Sequence, residues 1–240
     1  MTTHNPTEEK LLAMYERIGM GNCQTCSICR DNVENLSPPV TAWGVGNKFY
    51  DNEKRILFVG KNARGYYDRH EKFCVAFDDG RWLWEPKNWR ETWGTSSAYW
   101  TYTREITDKI FGDDSFEHIA FTNLVKCNNS PDKDTTPDLV KQNCICDLKI
   151  FSEEVKIIRP THIIFYTSWK YDAYIPHAFD TFKHLSEALK KIGQKDVPWN
   201  NVEATIEGLK LCVLVTGHPE RLKKNDFTNA ICSWIKTTQP

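Results

Sequence analysis

The sequence predicts an α/β protein of three layers, in which helices flank a central, mostly parallel sheet of four strands. Three observations predict it: four short runs that are apolar throughout, helical patterns between them, and polar residues just past three of the runs. Short apolar runs bounded by turn residues are typical of strands buried on both faces, as in a parallel sheet. Strands that alternate with helices then form the layered α/β arrangement.

The elements follow in order along the chain. The predicted strands are Ile56–Val59, Ile119–Thr122, Ile163–Tyr166 and Leu211–Val215. Helices are predicted over 97–111, 137–158 and 179–192. The second helix has proline in its first turn, and the third is followed by Gly193, which suits a helix end. A segment around 66–100 is rich in tryptophan, and we interpret it as an insertion within a single domain that spans residues 1–240.

Length and charge narrow the class of protein. The 240 residues, 40% of them apolar, suffice for one sizeable core, and the net charge of −1 gives no global basic field. An anionic partner must therefore be met by a local patch of basic residues. The N-terminal segment has the pattern of a charged amphipathic helix, and no apolar run has the length of a membrane span. We expect a cytoplasmic protein without a membrane partner, and a monomer.

Most of the nine cysteines form a pattern. It consists of Cys23, Cys26 and Cys29 near the N-terminus, followed by Cys127, Cys144 and Cys146. Thiolates spaced two residues apart can hold one metal centre from a single loop, and a distant segment can supply the remaining ligands. The odd total fits a disulfide framework poorly, and a cytoplasmic protein keeps its thiols reduced, which favours an iron–sulfur cluster or a metal ion. The alternative is that the cysteines fill the core, which we accept for Cys74, Cys212 and Cys232.

Polar residues stand at or just past the ends of three predicted strands: Asn62, Asn123 and His218. In open parallel sheets, ligands bind beyond the carboxyl ends of the strands. We therefore expect two amides and one imidazole to meet in one crevice. The alternative is that each of them only caps a turn.

These residues carry a resemblance to the uracil-DNA glycosylase superfamily. Its first motif, a strand that ends in Gly-x-Asn/Asp-Pro or a near variant, resembles GKNARG at 60–65, and its second, typically His-Pro-Ser-x-Leu, resembles HPERL at 218–222. The middle strand of its iron–sulfur branch resembles FTNLVKC at 121–127. With the cysteines, the match runs in order from about Cys23 to Leu222 and covers most of the chain.

The resemblance implies a monofunctional glycosylase, which flips a nucleotide out of DNA and hydrolyses its N-glycosidic bond to leave an abasic site. His218 would donate a hydrogen bond to the departing base as negative charge develops on it. Asn62 would orient the attacking water, and Asn123 would bind the edge of a pyrimidine with its donor and acceptor. The bound DNA would be a duplex with the base flipped out, or a single strand.

The resemblance also assigns residues around the base. Phe77 would stack on the flipped base, with Phe73 as a substitute, and Leu222 would fill the gap in the duplex. The alternatives are that Phe77 is a core residue and that Leu222 is an ordinary half-exposed leucine. Arg221, Lys223 and Lys224 would contact phosphates.

Four cysteines are implied as ligands of a [4Fe–4S] cluster, with zinc as the alternative: Cys23, Cys26, Cys127 and Cys144. On the predicted helix, Cys144 and Cys146 project about 200° apart, so only one of them can face the cluster. Cys144 keeps the family-like distance from Cys127, and Cys146 stays in reserve. Cys29 is likewise the spare thiol of the first group, because the family uses two ligands there.

Departures from the family pattern point to the substrate. Arg64 stands where uracil-specific enzymes place an aromatic ring that excludes substituents at C5, and its guanidinium could instead bind one. The tryptophan-rich segment, with Asp78 and Asp79, exceeds what a uracil pocket needs and resembles a sugar-binding surface. We therefore expect a cytosine with a bulky C5 group, hydroxymethylated or glucosylated as in phage DNA, and hence a role in antiviral defence. Plain uracil, and hence repair, is the alternative.

The rival from another class is a catalytically silent DNA-binding protein that keeps the fold and the cluster.

Overall fold

The computed structural model describes residues 4–20, 24–62, 75–77, 86–91, 98–130, 133–186, 189–220 and 222–240. The helices are Pro6–Arg17 (α1), Gln24–Asn32 (α2), Pro86–Glu91 (α3), Ala98–Phe111 (α4), Asp138–Lys141 (α5), Ile150–Ile158 (α6) and Lys224–Thr237 (α7), with a π-helix at Gln142–Asp147. The strands are Gly44–Val45 (β1), Ile56–Gly60 (β2), Ile119–Asn123 (β3), His162–Phe165 (β4), Thr181–Ser186 (β5), Leu189–Ile192 (β6), Lys195–Ile206 (β7) and Leu209–Thr216 (β8). Short 3₁₀ helices lie at Phe49–Asp51, Ser115–His118, Trp169–Tyr171 and Ile175–Ala178.

The predicted α/β class is confirmed, and the four predicted strands are present. They lie side by side in the order β3-β2-β4-β8, and all three pairings between them are parallel. Every residue of β2, β3 and β4 is buried, as expected of strands covered on both faces. The carboxyl ends of four neighbouring strands therefore face the same edge of the sheet.

The predicted extent of the sheet was wrong. In the described part of the chain the sheet has eight strands, and four of its seven pairings are antiparallel. The short strand β1 adds to β3, while β7 adds to β8 and carries β5 and β6. These outer strands lack continuous apolar runs, and all six residues of β5 are at least partly exposed. The signal that identified the buried strands is therefore absent from them.

The helix predicted over 179–192 is instead a pair of strands, β5 and β6. Its apolar residues include Phe182, Leu185, Leu189 and Ile192, a spacing that also suits one face of a helix. Pairing with the long strand β7 decides the outcome. Gly193, with φ of +62°, does not end a helix but occupies the first position of the two-residue turn between β6 and β7.

The helix predicted over 137–158 is broken into three pieces: α5, the π-helix and α6. Lys149 interrupts the backbone with φ of +49°, directly before α6. The π-helix carries both Cys144 and Cys146, so the predicted 100° per residue does not apply there.

Helices cover both faces of the sheet. On one face, α1 and α6 pack on β2 in a cluster that includes Leu11, Phe151 and Leu57. On the other face, α4 and α7 pack on β2 in a cluster that includes Ile106 and Phe58. Within the described ranges, no helix combines the length and the apolar character needed to cross a bilayer.

Much of the tryptophan-rich segment lies outside the described residues, including Trp82, Trp84 and Trp93. Trp89 on α3 is fully buried, and its indole N–H donates to Ser115 Oγ at 3.2 Å. This tryptophan is therefore a core residue of the α4 face.

Candidate functional site

Three predicted site residues lie at the carboxyl edge of the parallel strands. Asn123 is the last residue of β3, and Asn62 and His218 each follow a strand by two residues. Both asparagines are buried, while the His218 side chain is 33% exposed. This is the arrangement expected of a ligand crevice in an open parallel sheet.

Asn62 presents a buried oxygen that has no partner in the described part of the chain. Its amide nitrogen donates to Asn128 Oδ1 at 3.1 Å and to Thr136 Oγ1 at 2.7 Å. Its Oδ1 is buried, and none of the described residues donates a hydrogen bond to it. Because a buried amide oxygen normally accepts a hydrogen bond, this atom is suited to hold a water molecule or a ligand.

Asn123 sits opposite a glycine. It pairs in register with Gly60 on β2, and a Cβ added to Gly60 would lie 2.3 Å from Asn123 Oδ1 and 3.1 Å from the Tyr99 hydroxyl. No larger residue would fit at 60 without moving these atoms. The glycine of the first motif therefore leaves the space that the Asn123 amide occupies.

A buried ion pair supports the strand that carries Asn123. Lys126 Nζ lies 2.6 Å from Glu154 Oε1 on α6, and both side chains are at most 1% exposed. The same ammonium donates to the Asn123 backbone oxygen at 2.6 Å and to Thr122 Oγ1 at 2.7 Å. Tyr15 donates to the Glu154 carboxylate, and burial followed by the Glu154 charge raises the tyrosine pKa. This network of buried charges and hydrogen bonds thus holds the carboxyl end of β3 in place.

His218 is oriented by the backbone of its own loop. The Glu220 N–H donates to His218 Nδ1 at 3.2 Å, and the Glu220 carboxylate lies 3.9 Å from the same nitrogen; the N–H contact favours the neutral tautomer with its proton on Nε2. The ring stacks on Tyr99, with centroids 6.2 Å apart and planes at 19°. The Tyr99 hydroxyl also lies beside Gly60, so this tyrosine connects the imidazole to the carboxyl end of β2. His218 can therefore offer a hydrogen-bond donor.

Hydroxyl groups that the sequence analysis missed lie at the same edge. The hydroxyls of Tyr99, Thr167 and Thr216 are buried, and none has a hydrogen-bond partner among the described residues. Burial raises the pKa of Tyr99 well above its ordinary value, so the phenol stays protonated and can donate. Each threonine comes directly after residues of an apolar run, which was the available signal. Buried polar groups are normally paired, so their gathering here indicates a ligand site.

The loop that follows β4 starts at the same edge of the sheet. Ser168 has φ of +58° and ψ of −173°, a backbone conformation that residues other than glycine rarely adopt. Its N–H donates to the backbone oxygen of Thr216 at 3.1 Å. The next residue, Trp169, is 61% exposed. Local backbone strain of this kind is common at functional sites.

The other residues predicted to bind the base or the DNA include a buried phenylalanine, a half-buried leucine and two lysines paired with carboxylates. Phe77 is buried to 1% exposure in the core of the α1 face, where its ring lies 5.9 Å from that of His4. Leu222 is half-buried, and its backbone oxygen accepts from the Tyr102 hydroxyl at 2.7 Å. Lys223 and Lys224 pair with carboxylates: Lys223 with Asp226 at 3.6 Å, and Lys224 with Glu105 at 3.1 Å. Arg64, Phe73 and Arg221 lie outside the described residues.

The predicted thiol ligands come together in part. Cys26, Cys127 and Cys144 are buried, and Cys29 is buried beside them. The pKa of Cys127 is raised by burial and then by Cys144, Cys26 and Cys29. The helix α2 therefore lies beside Cys127 and the π-helix. Cys23 lies outside the described residues, and Cys146 is half-buried.

The thiols fit a soft metal centre by their chemistry. Burial raises the pKa of Cys144 to about 12, against the opposing effect of the Lys126 charge. Thiols that resist ionisation in this way become thiolates when a bound cation supplies the compensating charge. Within the described ranges, no three potential ligands are already grouped as a metal site. Cys29, which the sequence left as a spare, belongs to the same group of thiols.

A scan against protein-family models finds no matching family, and a search of curated proteins finds no matching sequence.

Proposed function

We propose that the protein is a DNA glycosylase, which flips a base out of DNA and hydrolyses its N-glycosidic bond to leave an abasic site. We assign it to the uracil-DNA glycosylase superfamily, close to the iron–sulfur branch, with that superfamily's fold around the four parallel strands. The observation that carries the proposal is the set of polar atoms at one edge of the sheet. Asn62 Oδ1 offers a buried acceptor, His218 offers a donor, and Asn123 offers both.

These three residues match the needs of glycosidic hydrolysis. As the bond to C1′ breaks, negative charge grows on the departing base, and the Nε2–H of His218 stabilises it. Asn123 holds the edge of the base with its carbonyl and amide. Asn62 Oδ1 accepts a hydrogen bond from a water molecule and thereby places it at the sugar. The water oxygen bonds to C1′, the base leaves with the bonding electrons, and the water proton passes to solvent or to the base.

We propose a pyrimidine substrate, either a cytosine with a bulky C5 substituent or uracil. The argument for the modified cytosine is Arg64 and the tryptophan-rich segment around 66–100. DNA would be bound as a duplex with a flipped base or as a single strand, with Arg221, Lys223 and Lys224 at the phosphates and Leu222 as the wedge. Lys223 and Lys224 would exchange their present carboxylate partners for phosphate. We further propose a monomer in the cytoplasm.

We propose that Cys23, Cys26, Cys127 and Cys144 hold a [4Fe–4S] cluster, with zinc as the alternative occupant. The grouping of the buried thiols Cys26, Cys127 and Cys144 supports a centre of this kind. When bound, the cluster would supply structure rather than chemistry, because its ligands Cys26 and Cys127 lie on α2 and on the segment that follows Asn123. The ultraviolet–visible spectrum and iron content of freshly purified protein distinguish the two occupants.

The deciding experiment compares base release from three DNA substrates: uracil-containing duplex, hydroxymethylcytosine DNA and glucosylated phage DNA. Abasic sites are detected by strand cleavage in hot alkali. We expect release from at least one substrate, with His218→Ala and Asn62→Ala strongly impaired. The matched control is His184→Ala, since His184 is an exposed histidine on the edge strand β5.

The outcomes separate the candidate functions. Release from uracil DNA alone contradicts the modified-base assignment. DNA binding without release from any substrate supports the catalytically silent DNA-binding protein. Release that is unchanged in His218→Ala refutes the assignment of this crevice as the active site.

A further inference from the structure

Asp134 and Thr136 form a hydrogen-bonded chain that ends at Asn62. The Thr136 hydroxyl donates to Asp134 Oδ1 at 3.3 Å, and Thr136 Oγ1 accepts from Asn62 Nδ2 at 2.7 Å. All three side chains are largely buried, with Asp134 at 7% exposure. We propose that Thr136 and Asp134 are positioning residues, which lock the Asn62 amide with its Oδ1 directed into the crevice. The proposal rests on the glycosylase function for its catalytic consequence, but not for its geometry.

The ionised Asp134 carboxylate at one end of this chain sets the direction of the hydrogen bonds. An ionised carboxylate has no proton to give, so Asp134 accepts from the Thr136 and Tyr171 hydroxyls, and the Tyr171 hydroxyl also lies 3.3 Å from Thr136 Oγ1. The oxygen of Thr136 is then left as an acceptor for Asn62. The Asn62 amide must therefore donate through its nitrogen, because its oxygen carries no proton.

Asn128 imposes the same orientation from the other side. Its Nδ2 donates to the Ser130 backbone oxygen, so Asn128 turns its Oδ1 toward Asn62. Both N–H groups of Asn62 are therefore taken by acceptors. A flipped amide would place its oxygen against two other oxygens and would lose both hydrogen bonds.

The carboxylate at the start of the chain is held ionised. Lys61 Nζ lies 3.2 Å from Asp134 Oδ2, and the Tyr171 hydroxyl donates to Oδ1 at 3.1 Å. Burial acts to raise the pKa of Asp134, but the Lys61 charge and these hydrogen bonds outweigh it, so the pKa is lowered. Hydrogen bonds in a chain polarise one another, so the chain also makes Asn62 Oδ1 a better acceptor for water.

Three variants test the chain by single-turnover base release. Thr136→Val removes the acceptor at nearly constant volume, and misplacement of the water should slow release by about tenfold to a hundredfold. Thr136→Ser keeps the hydroxyl and should retain most of the rate. In Asp134→Asn the amide oxygen stays with Lys61, so its NH₂ faces Thr136 and can no longer accept from it; we expect a smaller loss than in Thr136→Val, because Thr136 Oγ1 keeps a lone pair for Asn62. DNA affinity and melting temperature are measured for each variant.

A double-mutant comparison separates positioning from a structural role. If Thr136 acts through Asn62, then adding Thr136→Val to Asn62→Ala should cause no further loss of rate. An equal loss in both backgrounds overturns the proposal, as does a wild-type rate in Thr136→Val.

A second measurement does not depend on catalysis. In ¹⁵N-labelled protein, the side-chain NH₂ of Asn62, assigned from its loss in Asn62→Ala, should exchange slowly with solvent, and Thr136→Val should accelerate that exchange. Exchange as fast as that of exposed asparagines overturns the locked amide. If no DNA is a substrate but the NH₂ is protected, the glycosylase function fails while the chain itself stands.

Discussion

Replacement of Gly60 by alanine should disable the crevice with little damage to the fold. The new Cβ would lie 2.3 Å from Asn123 Oδ1, and that oxygen must retreat by roughly 1 Å to reach ordinary contact. The Tyr99 hydroxyl, at 3.1 Å, must also give way. Both atoms belong to side chains, so the amide and the phenol move rather than the strands.

The size of the effect follows from that displacement. A misplacement of about 1 Å at a reacting centre can reduce a rate by about 100-fold. We therefore expect Gly60→Ala to lower single-turnover base release by about two orders of magnitude, with a melting temperature close to that of the wild type. The assay is alkali-induced strand cleavage on whichever DNA the wild-type protein processes.

Gly112→Ala provides the matched control. Gly112 has φ of +86° and nothing within 4 Å of an added Cβ, so alanine there meets backbone strain but no clash. We expect a lower melting temperature from about 1 kcal/mol of strain and an unchanged rate of base release. Wild-type activity in Gly60→Ala, measured beside this control, would refute the reasoning that Gly60 makes room for Asn123.

Three further predictions concern the core and the thiols. Burial lowers the pKa of His162 to about 4 from an ordinary 6.5, so the folded state binds this proton less readily than the unfolded state does. The free energy of unfolding should therefore be highest above pH 6.5 and fall by about 3 kcal/mol toward pH 4. Denaturant titrations of His162→Asn should show a smaller fall. Lys126→Met leaves the buried Glu154 carboxylate without its cation and should lower the free energy of unfolding in urea by about 3–5 kcal/mol. Lys126→Met combined with Glu154→Leu should recover much of that stability. An equal loss of stability in the single and the double variant would argue against the ion pair. Cys127→Ala should lower the iron or zinc content of purified protein and its melting temperature, while Cys212→Ala, a buried cysteine elsewhere in the sheet, should leave the metal content unchanged.

The sequence predicted those parts of the fold whose signals are local. Leu57 and Ile163 lie in runs that are apolar because both faces of their strands are covered, so the strands could be recognised without knowing their neighbours. The segment 179–192 gave no such signal. Its apolar spacing suits a helix as well as a strand, and only pairing with β7 decides between them.

The candidate site was predictable in its residues but not in its geometry. Asn62, Asn123 and His218 could be chosen because each stands at or just past the end of an apolar run. The orientation of the Asn62 amide depends on Thr136, which is 74 residues away, and therefore could not be predicted from the local sequence. The contribution of Tyr99 was missed for the same reason, since only the folded chain brings its hydroxyl to Gly60.

The order of the parallel strands also bears on how the protein folds. Parallel neighbours need long crossover connections, and β2 pairs with residues that lie more than 60 positions away on one side and more than 100 on the other. Contacts this distant in sequence slow folding, because much chain entropy is lost before they form. The crevice draws on β2, β3, β4 and β8, so it cannot exist until all four have assembled. The crevice should therefore be among the last features to form during refolding, and it should form in one step.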